Sequence, residues 1–343
     1  MMIIPGWRRI RNFQKALLVF LIAIGLAVLF TSPAFAQDSS AEDQRTVQVV
    51  ERMPKLGNHN FLPNTFIRGP FINTYIRNTL GIGKAVDLDI PLLNVDGEEV
   101  IGLKGDLLFA ALEFEYQHAV KDWLAVALEF EVIARLGTGV GSLLAQGITA
   151  TNGLELSWMM KLLRTERVML SASLNIWNNS GTIIDIQQFV DRAIEEGEIA
   201  PDNELVKSRP FLRGGGAVSM AWAISEVLGL NALTQLSYGE AIDRRQENKF
   251  YYKVGVSLDY DLAKRTIFPL GLGLGYGFNT FRNEAGSNGS FSDRAESLYF
   301  RIAYTTPVNF LLSLDTTWNR IPLRNEDKNI NAGVTVINMR YYF

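Results

Sequence analysis

The chain has no cysteine and two histidines, His59 and His118, among its 343 residues. The first absence excludes disulfides, thiolate metal sites and a lipidated N-terminal cysteine, and the second leaves too few imidazoles for a transition-metal site. No stretch is strongly basic and the formal net charge is −3, so nucleic acid, which demands a basic footprint, is not an expected partner. Beyond residue 36 no apolar run approaches the roughly 20 residues that a membrane-spanning helix needs. A phosphate-cradling glycine loop is also missing, because Gly271, Gly273, Gly275 and Gly277 alternate within a strand-like segment and precede no helix. No cofactor is expected.

What is present begins at the N-terminus. Arg8, Arg9, Arg11 and Lys15 precede an uncharged apolar run from Ala16 to Phe30, followed by Ala34-Phe35-Ala36, an A-x-A cleavage pattern. Residues 1–36 therefore read as a cleaved signal peptide. Its loss removes four positive charges, so the full-length −3 becomes −7 in the processed chain.

The remainder alternates with period two. From Tyr251 to Leu262, Tyr252, Val254, Val256, Leu258 and Tyr260 share one face, and Lys253, Gly255, Ser257, Asp259 and Asp261 the other. Leu270 to Asn279 repeats the pattern, with leucines and aromatics on one face and glycines on the other. Twelve such segments are expected, at 71–92, 98–118, 123–136, 153–163, 168–178, 211–224, 227–238, 250–262, 266–281, 294–305, 308–320 and 329–343. Their connections alternate between short and long, the pattern of a transmembrane antiparallel up-and-down β-barrel with short periplasmic turns and long external loops. A soluble barrel or sandwich would also alternate, but its outer face would expose Trp158, Met160, Trp222, Phe300, Tyr304, Phe310 and Trp318 to water, whereas lipid accepts them directly. Residues 70–343 are read as the barrel. Residues 37–69, with two prolines and little alternation, are read as a periplasmic lead-in.

The final strand places Ile337, Met339, Tyr341 and Phe343 on one face and Asn338, Arg340 and Tyr342 on the other. In this the chain resembles Gram-negative outer-membrane β-barrel proteins of the porin and channel kind and, more faintly, outer-membrane transporters of aromatic-degradation pathways. The resemblance implies an outer-membrane location among lipid, a last strand whose Tyr341 and Phe343 serve as the signal read by the barrel-assembly machinery, and passage of small solutes.

The inward-facing charges are the acids Glu113, Glu115, Glu129, Glu131, Glu155, Asp259, Asp261 and Asp315, and the bases Arg77, Arg135, Lys161, Arg213, Lys253, Arg301 and Arg340, all but Asp261 being candidate lumen-lining residues. A hairpin sum near 242 sets Glu113 opposite Glu129, and like charges so opposed need compensation. Arg77 is expected beside Glu113 or Glu115. If the 137–152 loop is symmetric, Lys161 falls beside Glu129 and Arg135 beside Glu155. These charges either brace the wall or line a pore, and their near balance predicts at most a mild cation preference. The glycines of the ninth strand leave a low wall that Tyr299 and Arg301 could fill, or they let the barrel curve. In the longest loop, Asp185 as N-cap, Gln188 and Gly197 bracket a helix whose apolar stripe includes Ile186, Phe189, Val190 and Ile194, a candidate constriction or loop plug at the barrel mouth.

A narrow channel or passive transporter is thus the expected function. A structural or surface-binding barrel with a closed lumen is the alternative. An outer-membrane lipid-modifying enzyme is a third reading that the histidines disfavour, His59 lying before the barrel and His118 beside a periplasmic turn.

Overall fold

The structure, a computed structural model, describes residues 53–95, 98–136, 147–184, 194, 206–240, 248–280, 294–304, 309–322 and 329–343. Twelve long strands form one closed barrel: β3 (Tyr75–Val95), β4 (Glu98–Lys121), β5 (Leu124–Leu136), β6 (Gly147–Arg164), β7 (Val168–Ile184), β8 (Val206–Ala223), β9 (Leu228–Glu240), β10 (Asn248–Asp261), β11 (Leu270–Thr280), β12 (Arg294–Tyr304), β13 (Phe310–Pro322) and β14 (Asn329–Tyr342). Each pairs antiparallel with its sequence neighbour, and β14 pairs with β3 to close the ring, Arg340 standing opposite Arg77. Closure gives every strand a neighbour on both sides within the ring, and the ends of the longer hairpins, such as β3–β4 beyond Val86, extend past it.

Period-two alternation decides which way each side chain faces. Leu80, Ile82, Leu174, Leu236, Leu274, Leu298, Leu314 and Ile337 are exposed on the outer wall, while Thr79, Gln117, Ser157, Ser171, Asn231, Ser257 and Ser313 are buried on the inner one. This is the reverse of a water-soluble barrel. Aromatic residues mark both ends of the apolar band: Trp123, Trp222, Tyr304 and Phe343 near the short turns, and Tyr238, Phe250 and Trp318 near the long connections. The short turns are locally encoded. Thr165 and Val168 close one through the Thr165 hydroxyl, and the Asp261 carboxylate accepts from Ala263 N to cap a 3-10 turn at Leu262–Lys264.

The largest departure from the sequence reading concerns residues 53–69. They do not form a lead-in outside the barrel; with Pro70–Thr74 they run up inside it and back. A hairpin of β1 (Lys55–Leu56) and β2 (His59–Asn60) stands at the short-turn end, its tight turn placing Gly57 and Asn58 both at positive φ (51° and 63°). The chain then climbs. Leu62 N donates to the Asp259 carboxylate, the Asn64 amide to Ser257 Oγ and the Thr65 hydroxyl to Asp315. Around Thr65–Arg68 it reverses, and it descends as the Pro70 carbonyl accepts from Ser171 Oγ and the Phe71 and Asn73 carbonyls from Gln117 Nε2, to enter β3.

The physical reason is twofold. Pro54, Pro63 and Pro70 each remove a ladder donor, so this stretch makes a poor barrel strand. Its buried apolar residues nevertheless need cover: Phe61 packs with Leu56, Met169, Ala221 and Ala223, Leu62 with Ala303 and Leu311, and Ile67 with Ala217 and Leu233. Small inward residues make the room. A Cβ on Gly229 would strike His59, one on Gly277 would strike Phe66, and one on Gly255 would come within 3.1 Å of Ile67.

Candidate functional site

The site is the lumen, and its two halves differ. Near the short turns the inward side chains are buried by residues 53–74. Toward the long connections, Glu113, Glu131, Trp177, Asn179, Arg213, Tyr251, Lys253, Thr317 and Asn319 remain partly accessible. The boundary between the halves carries two charge clusters.

The first lies on β12 and β13. Arg301 is fully buried and bidentate to Asp315, with Nε 2.7 Å from Oδ1 and Nη2 2.5 Å from Oδ2. Its Nη1 donates to the carbonyl oxygens of Leu62, at 3.1 Å, and Pro63. A planar guanidinium can serve a carboxylate and a backbone turn together, which an ammonium could not do in one geometry. Asp259, on β10 and so two strands from Arg301, accepts from Leu62 N and from the Asn231 amide. The low glycine wall of β11 is where these side chains fit: Gly273 pairs with Arg301, Gly275 with Tyr299, and Phe66 stacks on Tyr299 with ring centroids 5.6 Å apart.

The second lies on β3 to β6. Arg77 faces Glu115 across the β3–β4 pair, Nε to Oε2 2.9 Å, and reaches Glu113 at 3.4 Å and Glu129 at 3.5 Å. Arg340 stands 3.8 Å from Glu115 with its guanidinium over the Tyr75 ring. Into this group comes a cation from the inner segment. Arg68 Nη2 is 2.7 Å from Glu129 and 3.1 Å from Glu115, and Nη1 is 2.7 Å from Glu155 and 2.8 Å from Ser157 Oγ. Glu155 also accepts from Asn175 and from the Trp177 indole, each at 2.6 Å. A cavity of about 120 Å³ lies between segment and wall, bordered by Arg68, Glu115, Glu129, Glu155, Asn175 and Lys253 among others.

Several expected juxtapositions need correction. Glu113 stands opposite Glu131, not Glu129, and Glu115 opposite Glu129, because the β4–β5 turn falls at Asp122–Trp123, later than expected, with a bulge between Ala119 and Lys121. Lys161 does not reach Glu129. The β5–β6 register sets Glu129 opposite Glu155, since β6 begins at Gly147, six residues before the expected start, and Lys161 instead pairs with Ser171 near the short turns.

The remaining candidates are spread around the wall. Arg213 packs over the Tyr251 ring at 3.7 Å, and Lys253 approaches the Phe66 ring at 5.9 Å from the side opposite the glutamates. The Arg135 side chain lies outside the described residues, as do Ile186, Phe189 and Val190; Ile194 is helical and exposed. Tyr341 and Phe343 both face outward, their rings 5.0 Å apart. His118 stacks on Tyr116, and His59 is buried at the foot of the inner segment. Arg68 was not a sequence candidate. Its signal would have been the unbalanced carboxylates of β4–β6, which call for a cation that the neighbouring strands do not supply.

No family model matches the chain, and no curated protein matches it. Among solved structures it is similar to the NanC porin, at 7% identity and a TM-score of 0.47 over 78% of this chain and 100% of that one. It is also similar to an outer membrane channel from Pseudomonas putida F1, at 13% identity and 0.46 over 83% and 100%. A third is the toluene transporter TodX of P. putida, at 8% identity and 0.42 over 83% and 95%.

Proposed function

We propose that the processed chain is an outer-membrane barrel that conducts small solutes passively through a narrow lumen, with residues 53–74 as an internal constriction. The single observation that carries this reading is the sidedness of the wall: an apolar outer band with aromatic ends encloses a polar, charged interior that stays partly accessible in one half. Twelve strands make a lumen between the filled eight-stranded barrels and the wide sixteen-stranded pores, so an internal segment can decide whether it conducts. On this reading residues 1–36 are the export signal, the short turns face the periplasm, lipid covers the outer wall, and Tyr341 and Phe343 present the end of β14 to the assembly machinery. The filled lower half gives weight to one other reading, a closed structural barrel.

Single-channel recording in planar bilayers separates them. The processed full chain is expected to show small conductance steps, and a variant lacking residues 55–70 larger ones. Silence from both, with each shown to be folded and inserted, would leave only the closed barrel.

A further inference from the structure

We propose that Glu115, Glu129 and Glu155 form a recognition site for small solutes that carry a guanidinium or ammonium group, and that Arg68 is an internal occupant which such a solute replaces. This rests on the channel reading above and names the class of solute.

An acidic cluster alone would say little, since carboxylates also brace walls. Here the cluster is already engaged with a ligand-like group. One guanidinium, brought in by a segment that is not part of the wall, spans three carboxylates and a hydroxyl at 2.7 to 3.1 Å. The same geometry would serve a free solute cation. The wall holds its half of the contact without help from Arg68. Glu155 is fixed by Asn175 and the Trp177 indole, and Glu115 by Arg77, so the acceptors are in place before any cation arrives.

Charge points the same way. If Arg68 withdraws, Glu155 keeps those neutral donors, Glu129 keeps the 3.5 Å edge of Arg77, and Glu115 keeps Arg77 and, at 3.8 Å, Arg340, so three carboxylates face two arginines. Glu113 and Glu131, facing each other one step toward the accessible half, extend this charge along the route a solute would take. Lys253 reaches in from the opposite wall beside the Phe66 ring and borders the same cavity, so with Arg68 gone five carboxylates face three cations, Arg77, Arg340 and Lys253. An anionic solute would meet this excess of carboxylates over cations. Arg68 is the one charged side chain that the segment carries from Leu62 to Pro70, the others bonding through uncharged groups such as the Asn64 amide to Ser257 and the Thr65 hydroxyl to Asp315, so exchange of one guanidinium for another removes its own charged tie to the wall.

The chain has no cysteine, so Thr65→Cys places a single thiol at the apex of the segment. In vesicles, its labelling rate with a hydrophilic maleimide is measured in guanidinium chloride against sodium chloride at equal, sub-denaturing ionic strength. The rate is expected to rise with guanidinium and saturate, reaching about tenfold at ten times the dissociation constant for a competing ligand. That response should vanish in a background of Glu129→Gln with Glu155→Gln. In parallel, Arg68→Ala is expected to shift the bilayer reversal potential toward cations, and guanidinium to reduce its sodium current.

Equal labelling in the two salts, or a reversal potential that moves toward anions, overturns the cation site while leaving the channel intact. A guanidinium-specific labelling response from a protein that never conducts keeps the site and removes the channel. The labelling arm keeps Arg68, so it decides the matter even if Arg68→Ala does not fold.

Discussion

Arg301 and Arg68 hold the same inner segment in opposite ways. Arg301 belongs to the wall and pairs with the wall's own Asp315, both fully buried, so it touches the segment only through the neutral carbonyls of Leu62 and Pro63. Arg68 belongs to the segment, retains 18% side-chain exposure, and answers carboxylates that the wall supplies. If the segment left the lumen, the Arg301 pair would survive intact, whereas every Arg68 pair would be split. One arginine is therefore part of the barrel's architecture, and the other couples the position of the segment to charge in the lumen.

The strongest way to break this comparison is to remove the architectural member. Arg301→Gln strands the Asp315 carboxylate in a buried setting with Thr65 as its remaining neutral donor from the inner segment. Breaking a buried pair in this way is expected to cost about 3–5 kcal/mol. Urea unfolding of refolded protein, followed by tryptophan fluorescence, measures it. The double change Arg301→Leu with Asp315→Leu should recover much of the loss, because it leaves no charge unpaired. A single-variant cost below about 1 kcal/mol, the range of exposed ion pairs, would mean that the two arginines are alike after all.

Arg68→Gln should act more weakly and more locally. Charge-assisted hydrogen bonds contribute about 1.5–3 kcal/mol each when buried, and partial exposure here reduces that. The expected result is about tenfold faster amide exchange at residues 62–67, the equivalent of about 1.4 kcal/mol, with β12 and β13 unchanged. Exchange that rose equally in the segment and in those strands would make them one cooperative unit and erase the distinction.

How much of this was legible in the sequence follows from the range of the interactions. The wall was, because alternation is a local property: Leu124–Leu136 and Arg294–Tyr304 fall within a residue or so of their expected bounds. The register of β4 on β5 was nearly so, missed by one turn position at Asp122–Trp123. β6 was not, since Gly147–Asn152 does not alternate and its pairing with β7 comes from the neighbouring strands. The inner segment was hidden for another reason. Arg68 meets Glu155 only after the whole ring has closed, and nothing near residue 68 announces it. Its trace lay elsewhere, in the small inward residues Ala217, Ala221, Gly229, Gly255, Gly277 and Ala303, which line the wall where Phe61, Leu62, Phe66 and Ile67 sit. Glycines on one strand suggested a low wall, but only small residues on five successive strands describe a slot shaped for a chain.

The smallest expected effect lies away from both arginines, at the foot of the segment, and it sharpens the comparison by adding a third kind of hold. His59 Nδ1 lies 3.3 Å from the Glu226 carbonyl, which can only accept, so the proton sits on Nδ1. Nε2 is left bare, buried against Gly229, with the ring edge-to-face on Phe61 at 4.7 Å. Protonating Nε2 would bury a donor with no acceptor. Burial is the main cause that pushes this imidazole down to about 4; the Glu226 carbonyl opposes it and Lys264 adds to it. The unfolded chain binds the proton near the ordinary value of 6.5, so its affinity for protons exceeds that of the folded form. The contribution of His59 is therefore complete above pH 6.5 and is lost as pH falls toward 4. Stability of the full chain, measured at pH 7 and 4.5, should drop in a part that His59→Gln removes, on the order of 1 kcal/mol. Neither Arg301→Gln nor Arg68→Gln should alter that part, since neither guanidinium touches the imidazole. An unchanged pH slope in His59→Gln would mean that acid acts through the lumen carboxylates instead, and would move the pH-sensitive hold from the foot of the segment to its apex.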